Sequence, residues 1–147
     1  MSTPETRPSG RPLREIYFYL TEGCNLRCRH CWVMPEKVTP RQGDAFLDVE
    51  LFETILKQAR PLGLTRVKLT GGEPFLHPKL ASIVKTIRRI SPATRLGILT
   101  GGIFNKRLLD SLSPLDVPLV FNINEPRDYS NPKHYNKAIR NIELALE

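Results

Sequence analysis

The sequence predicts an α/β fold in which parallel strands alternate with helices. Four short β-rich segments lie at residues 16–21, 67–70, 96–100 and 119–124, and each is followed by apolar residues at helical spacing. Parallel strands need a crossover segment to return to the same end of a sheet, and a helix usually provides it. Because such crossovers are right-handed, we expect the sheet to curl toward a barrel or to form a doubly wound layer.

The helical segments are predicted from apolar residues that recur every three or four positions. The first has Asp48 as its N-cap and stops at residues 61–63, and the second begins with Pro78 at its first helical position. The third follows Asn105, and the fourth opens at Asn131. The residues expected to face the sheet are Leu51, Phe52, Ile55, Leu56 and Ala59 in the first helix, Leu80, Ile83, Val84, Ile87 and Ile90 in the second, Leu108, Leu109 and Leu112 in the third, and Tyr135, Ala138, Ile139 and Ile142 in the fourth.

The composition is that of an ordinary globular domain. The 147 residues are 40% hydrophobic and 25% charged, and no apolar run approaches the roughly 20 residues of a membrane-spanning helix. Residues 1–14 are polar and rich in proline, so we expect a flexible leader before a core at 15–147, with no secretory signal and a cytoplasmic location. The net charge of +7 comes from scattered Lys and Arg, which predicts a solvated basic surface with no nucleic-acid and no membrane partner. An acidic substrate or partner is the alternative.

All three cysteines lie in one short loop after the first predicted strand. Cys24, Cys28 and Cys31 form a C-x3-C-x2-C array, and thiolates at this spacing can converge on one soft metal centre. Free thiols and a disulfide are poor explanations, because the cysteines are clustered, odd in number and expected in a reducing compartment. Two metal hypotheses stay open: zinc bound by the three cysteines and His30, or an iron–sulfur cluster with one iron left open for a small-molecule ligand.

The other predicted strands also end in unusual segments. Residues 71–74 (GGEP) follow the second strand, residues 101–102 (GG) the third and residues 122–126 (NINEP) the fourth. The carboxyl ends of parallel strands lie on one rim, where α/β proteins carry their chemistry. Adjacent glycines let backbone approach a ligand closely, and the Glu73 carboxylate can bind a cationic amine through a charge-assisted hydrogen bond. We therefore expect these segments and the cysteine loop to form one site.

The C-x3-C-x2-C loop and the GGEP segment resemble the motifs of the radical S-adenosylmethionine (SAM) superfamily. The resemblance implies a partial (βα) barrel of the radical SAM type, with about four βα units present. It also implies a [4Fe–4S] cluster held by Cys24, Cys28 and Cys31, with S-adenosyl-L-methionine on the open iron through its amino and carboxylate groups. In that family an electron from the cluster cleaves SAM to methionine and a 5′-deoxyadenosyl radical, which abstracts hydrogen from a substrate.

The same resemblance implies five positions that bind SAM. His30 precedes the third cysteine, where the family's backbone meets the adenine edge. Gly71, Gly72, Glu73 and Pro74 match the GGEP motif, whose glutamate contacts the methionine amine. These residues are therefore expected at the cofactor.

Two further segments match the family less closely. Thr100 begins a Thr-Gly-Gly where many members carry Thr-Asn-Gly, so a backbone contact or a plain glycine turn is expected there. Asn122 and Asn124 line up with a Ser-x-Asp stretch whose first polar residue reaches the ribose or carboxylate of SAM. Both amides can donate and accept hydrogen bonds, and both can instead cap the turn. His77 and His134 are expected at the surface rather than in the site.

The local similarity around the two motifs favours an enzyme that matures a ribosomal peptide, with haem or other cofactor biosynthesis as the alternative. A non-catalytic zinc-binding module is the hypothesis of another class. The enzyme hypothesis implies a peptide or small-molecule substrate and an electron donor such as flavodoxin or ferredoxin. The fourth helical pattern is still running at Glu147, so we expect an incomplete core that self-associates through its open sheet edge.

Overall fold

The chain folds as four βα units around a single parallel sheet. The computed structural model describes residues 10–29, 31, 45–123, 125–129 and 131–146. The elements are β1 (Glu15–Tyr19), α1 (Val49–Ala59), β2 (Arg66–Thr70), α2 (Leu80–Ile90), β3 (Arg95–Thr100), α3 (Lys106–Leu112), β4 (Leu119–Phe121) and α4 (Pro132–Leu146). The strands pair in sequential order, and every pair is parallel. The predicted α/β fold with four βα units is confirmed.

The helices cover one face of the sheet and leave the other accessible. Phe18 in β1 packs on Phe52 in α1 with ring centroids 4.5 Å apart. Residues of this interface are fully buried, among them Val67, Leu69, Ile98, Leu56, Ile83, Val84 and Ile87. Burial of such apolar surface contributes roughly 25 cal/mol per Å², which is what holds the helices on the sheet. On the opposite face, Tyr17 and Tyr19 are each 46% exposed.

Helix α1 begins where Asp48 predicts it. The Asp48 carboxylate accepts hydrogen bonds from the N–H groups of Glu50 and Leu51 at 2.9 and 3.0 Å. Gly63, with φ 97°, ends the short turn that follows the helix. The prediction that Leu51 faces the core is wrong, since this side chain is 52% exposed. The buried face begins one residue later, at Phe52, which lies about 100° around the helix from Leu51.

His77 and the start of α2 differ from the prediction. The helix begins at Leu80 rather than at Pro78, because His77 Nδ1 accepts a hydrogen bond from the Lys79 N–H at 3.1 Å and holds a separate turn. The His77 side chain is buried instead of lying at the surface, and its Nε2 is 2.9 Å from the Leu47 carbonyl oxygen. Since Nδ1 accepts, Nε2 carries the proton and donates. Burial lowers the pKa of this imidazole.

β1 and β4 are shorter at their carboxyl ends than their sequence patterns predict. β1 ends at Tyr19, and Thr21 instead forms an isolated antiparallel bridge with Phe46. β4 ends at Phe121, which pairs with Thr100, the last residue of β3. Beyond Thr100 the chain turns away at its glycines, so β4 has no strand left to pair with on that side.

Helices α3 and α4 begin at the predicted asparagines. Asn105 accepts a hydrogen bond from the backbone N–H three residues later, and Asn131 from the N–H two residues later, both at 3.0 Å. α4 buries Ala138 as expected, and it also buries Asn141, which the apolar pattern did not predict. His134 is half-buried rather than at the surface.

The predicted leader is described only from residue 10 onward. Within it, the Leu13 N–H donates to the Leu62 carbonyl oxygen at 2.9 Å, so the backbone is held shortly before β1 begins. The division at residue 14 stays a prediction. Within the described ranges, none of the helices has the length and apolarity needed to span a bilayer.

Candidate cofactor site

The carboxyl ends of the four strands border one cleft of about 530 Å³, a usual size for a small-molecule site. The predicted site residues that line it are Cys24, Cys28, Cys31, Gly71, Gly72, Glu73, Thr100 and Asn122. Pro74 is buried and does not line the cleft. His30 and Asn124 lie outside the described residues. The segments that follow all four strands therefore meet in one place, as the pattern predicted.

The cysteine loop is shaped by backbone hydrogen bonds. The Leu26 N–H donates to the Cys24 sulfur at 3.4 Å, and the Cys31 N–H donates to the Cys28 carbonyl oxygen at 3.0 Å. All three side chains are partly exposed. Burial raises the pKa of Cys24 to about 11 and also raises the pKa of Cys28. These two thiols therefore keep their protons at neutral pH until a metal displaces them, as metals do with coordinating thiols.

The arrangement of the sulfurs bears on which metal fits. Among the described residues, no three His, Cys, Asp or Glu side chains gather around one point as the ligands of a single ion do. A tetrahedral zinc ion holds its sulfurs about 4 Å apart, because each Zn–S bond is about 2.3 Å long. A four-iron cluster takes each thiolate on a different iron, so its ligands stand further apart around one cleft. Three thiolates can bind three irons of such a cluster and leave the fourth iron open for another ligand.

Glu73 is a buried carboxylate at the floor of the cleft. Its Oε1 accepts hydrogen bonds from the Thr100 hydroxyl at 2.8 Å and the Phe75 N–H at 3.2 Å, and its Oε2 accepts from the Gly101 N–H at 2.9 Å. Burial raises the pKa of Glu73 to about 7, and these three donors oppose that rise. In the part of the chain that is described, no Lys or Arg forms an ion pair with it. The carboxylate is therefore buried and held in a fixed orientation, without a cationic partner among the described residues.

Close backbone contacts, which the sequence did not reveal, explain why the two residues before Glu73 are both glycine. Gly71 has φ 135°, and a Cβ there would lie 2.6 Å from the Thr21 carbonyl oxygen. A Cβ on Gly72 would overlap the Gly23 carbonyl oxygen. The N–H groups of Gly72 and Glu73 donate to those two carbonyls, each at 2.8 Å. The glycines therefore let the turn after β2 press directly against the segment that leads into Cys24.

The turn after β3 departs from the expectation of a plain glycine turn. Thr100 is buried and its side chain, not only its backbone, takes part in the site through the hydrogen bond to Glu73. A Cβ on Gly101 would lie 2.6 Å from Leu26 Cδ1, so a leucine of the cysteine loop fills the space of the absent side chain. Asn122 is exposed at the cleft, and its N–H donates to the Thr100 carbonyl at 2.9 Å.

Sequence reasoning missed two amide side chains that hold this turn. Asn25 Nδ2 donates to the Ile103 carbonyl oxygen, and Asn141 Nδ2 donates to the Gly102 carbonyl oxygen, each at 2.6 Å. Asn141 could have been found, because it lies three residues after Ala138 on the inward face of α4. Asn25 stands inside the cysteine array, and no pattern in the sequence distinguishes it from a surface asparagine.

The accessible sheet face next to the cleft is aromatic and carries a cation. Tyr17 and Tyr19 both line the cleft. The Lys68 ammonium donates to the Tyr17 hydroxyl at 2.9 Å and lies 3.5 Å from a Glu15 carboxylate oxygen. The hydrogen bond to Tyr17 raises the pKa of Lys68, so the group is a cation at neutral pH. Period-two alternation in β1 was the available signal, since it places both tyrosines on one face.

Comparison with known proteins agrees with this geometry. The profile of the Radical SAM superfamily matches residues 18–147. The GTP 3′,8-cyclase of Synechocystis is 33% identical over 142 residues, which cover 92% of this chain and 42% of the cyclase. Molybdenum cofactor biosynthesis protein 1 of Bos taurus is 40% identical over 106 residues, which cover 70% of this chain and 16% of that protein. The crystal structure of Streptococcus suis SuiB bound to S-adenosylmethionine superposes with a TM-score of 0.67 at 18% identity, covering 92% of this chain and 32% of SuiB.

The matched proteins are all longer than this chain. The chain spans about two fifths of the Synechocystis cyclase and about a sixth of the bovine protein. The likeness to SuiB, at 18% identity, shows the fold alone. The expected radical SAM type of partial barrel is thereby confirmed.

Proposed function

The chain belongs to the Radical SAM superfamily, and we propose that Cys24, Cys28 and Cys31 each bind one iron of a [4Fe–4S] cluster while Glu73 binds the ammonium group of S-adenosylmethionine. When bound, the cluster and SAM supply a reducing electron and a 5′-deoxyadenosyl group that together generate the hydrogen-abstracting radical. The observation that carries the proposal is the meeting of a buried, oriented carboxylate and three cysteines in one cleft. The metal-site residues fit this group, since three thiolates leave one of four irons open.

The work of the protein residues is to bind and orient. Glu73 gains a cationic partner when the SAM ammonium enters, and the ion pair offsets the cost of burying the carboxylate. The amino nitrogen can bind iron only after it has lost one proton, and the adjacent Glu73 carboxylate would take up that proton. The Thr100 hydroxyl and the Gly101 N–H hold its two oxygens in fixed directions. The low exposure of this carboxylate keeps water from competing for the ammonium, which strengthens the interaction.

Anaerobic reconstitution with iron and sulfide tests the cofactor proposal. We expect about four irons per chain, a brown protein, and a change in the electron paramagnetic resonance (EPR) spectrum of the reduced cluster when SAM is added. A colourless chain that retains zinc in place of iron, and that does not bind SAM, would establish the zinc-binding module instead.

For the substrate we propose a small molecule of the nucleotide class, the cofactor-biosynthesis alternative rather than peptide maturation. The similarity to proteins named GTP 3′,8-cyclase and Molybdenum cofactor biosynthesis protein 1 supports this choice. The tyrosine face beside the cleft supports it as well, because aromatic rings stack on planar bases and the Lys68 ammonium suits a phosphate. The electron donor in this proposal is a carrier such as flavodoxin or ferredoxin, as the membership of the Radical SAM superfamily implies.

Equilibrium dialysis of the reconstituted, SAM-loaded chain with GTP as the probe tests the substrate class. We expect Lys68→Met to weaken GTP binding about tenfold, the usual cost of losing a hydrogen bond to a charged group. Lys85→Met is the matched control, because Lys85 is an exposed lysine on α2, the element covering the other sheet face. Retention of an unstructured peptide, with no retention of GTP, would return the substrate to the peptide class.

A further inference from the structure

The turn that follows β3, residues 101–104, accepts hydrogen bonds from two amide side chains that lie in different parts of the chain. Asn141 on α4 is 7% exposed, and its Nδ2 donates to the carbonyl oxygens of Gly102 at 2.6 Å and Phe104 at 3.1 Å. Asn25, inside the cysteine loop, donates to the Ile103 carbonyl oxygen at 2.6 Å. Three successive carbonyls of an irregular segment therefore receive side-chain donors, which buried backbone outside a helix or sheet requires.

The same turn provides the donors that orient Glu73. The Gly102 N–H donates to the Thr100 hydroxyl oxygen at 3.0 Å, so the Thr100 proton is free to point at the carboxylate 2.8 Å away. The Gly101 N–H points at the other carboxylate oxygen at 2.9 Å. A displacement of the turn would move both donors at once.

Helix α4 fixes the position of the turn by van der Waals contact as well as by the hydrogen bonds of Asn141. Gly102 has φ 83°, and a Cβ there would lie 3.1 Å from the Ala138 Cβ, which is fully buried. The backbone of the turn therefore rests directly on the helix, one turn before Asn141. Asn141 is the polar anchor of that contact.

We propose that Asn141 and Asn25 are positioning residues of the SAM site, which act through residues 101–104 to aim the Glu73 carboxylate and to tie it to the cysteine loop. The proposal rests on the proposed role of Glu73 in binding the SAM ammonium. Neither amide touches the cofactor; each fixes the turn from one side. Removal of either lets the Gly101 N–H and the Thr100 hydroxyl drift, so that Glu73 meets the ammonium in the wrong direction.

A double-mutant cycle on SAM affinity in the reconstituted chain tests the proposal. Asn141→Asp keeps the shape of the side chain but removes both N–H donors, and we expect SAM affinity to fall about tenfold, within the range for members of one hydrogen-bond network. In a Glu73→Gln background the same substitution should change SAM affinity less than about twofold, because the turn then has no carboxylate to aim. A merely structural role would lower affinity equally in both backgrounds.

Asn136→Asp is the matched control, since Asn136 is exposed on the same helix. Iron content and the melting temperature are measured in parallel. If Asn141→Asp does not fold, Asn25→Asp gives the same cycle from the other side of the turn. Equal losses in both Glu73 backgrounds, or no loss at all, would overturn the proposal. Failure of the underlying function is distinguishable, because either the unaltered chain would then bind no SAM or Glu73→Gln alone would leave the SAM affinity unchanged.

Discussion

The rim of strand ends has two halves that are held in different ways. On the side of β2 and β3, Glu73 and Thr100 are almost fully buried and joined by short hydrogen bonds. On the side of β4 the strand has three residues, Val120 is 44% exposed, and Asn122 is open to the cleft. An open groove of about 690 Å³ also runs between α3, β4 and α4, and none of the predicted site residues lines it. The first half is built to fix one ligand group, whereas the second leaves room for further contacts.

The contrast has a physical cause in how many elements contact each strand. β2 and β3 are flanked by strands on both sides and covered by α1 and α2, so their helix-facing residues are excluded from water. β4 pairs only with β3 in the described part of the chain, and an edge strand presents unpaired backbone groups. Self-association through this edge stays a prediction.

The largest expected effect is the loss of the cluster from the loop that follows β1, next to the well-held half. Cys24→Ala, Cys28→Ala and Cys31→Ala should each abolish iron retention after anaerobic reconstitution, because the chain contains no other cysteine to replace a missing ligand. Iron and acid-labile sulfide are measured on each variant. Normal iron content in any one of the three would remove that cysteine from the ligand set.

Truncation of a core side chain should lower the free energy of unfolding more in β3 than in β4. Ile98→Ala in β3 removes a fully buried side chain and should cost about 2–5 kcal/mol. Leu119→Ala in β4 removes the partly buried register partner of Ile98, on the same face of the sheet, and should cost less than about 2 kcal/mol. Urea unfolding followed by circular dichroism gives both values. Similar costs at the two positions would mean that β4 is covered as well as β3.

Glu73 should make the metal-free chain less stable as the pH rises. Its pKa is raised by burial from 4.5 to about 7, so the folded state holds the proton more tightly than the unfolded state. The stabilisation is complete below about pH 4.5 and is lost as the pH rises through about 7, a total of roughly 3 kcal/mol. We expect the stability difference between the unaltered chain and Glu73→Gln to follow this course.

His77 contributes to the pH dependence of stability in the opposite direction, so its contribution must be removed from the comparison. Burial lowers the pKa of His77, so its contribution is present above the ordinary value of 6.5 and is lost as the pH falls. Taking the difference against Glu73→Gln removes the His77 contribution, because both chains contain it. A difference that does not vary between pH 4 and 8 would contradict the buried placement of Glu73.

The smallest expected effects concern SAM affinity on the two sides of the cleft. Glu73→Gln keeps the shape but removes the charge, and should weaken SAM binding by about 1.5–3 kcal/mol. Asn122→Ala, on the open side, should weaken it less than about fivefold, the worth of a neutral exposed hydrogen bond. Titration of SAM into reconstituted chains measures both. An equal or larger loss at Asn122 would reverse the assigned importance of the two halves.

The sequence was sufficient for the parts of this molecule that repeat a regular pattern. The order of strands and helices followed from apolar periodicity, and the caps at Asp48 and Asn105 followed from their side-chain oxygens. The meeting of the cysteine loop with Glu73 followed from topology, since parallel strands end on one rim. These features depend on residues near one another in the chain or on a general rule of sheets.

The parts that could not be predicted depend on contacts between distant residues. The burial of His77 is fixed by a carbonyl oxygen 30 positions away at Leu47, and the anchoring of the turn by Asn141 spans 39 positions. The need for glycine at Gly72 comes from the Gly23 carbonyl pressing on it across the sheet end. No local pattern reports such contacts, because each polar group looks like a surface residue until its partner is in place.

The most direct test of a three-cysteine cluster with SAM on its open iron is the magnetic coupling between the two. The reconstituted, reduced chain is mixed with SAM labelled with ¹⁵N at the methionine amine, and pulsed EPR measures the hyperfine coupling of that nitrogen to the cluster. We expect a resolved ¹⁵N coupling in the unaltered chain, and a weaker one in Glu73→Gln at saturating SAM, because the ammonium-derived nitrogen is then less well oriented. Bound SAM without any ¹⁵N coupling to the cluster would contradict the assignment of the cleft as a radical SAM centre.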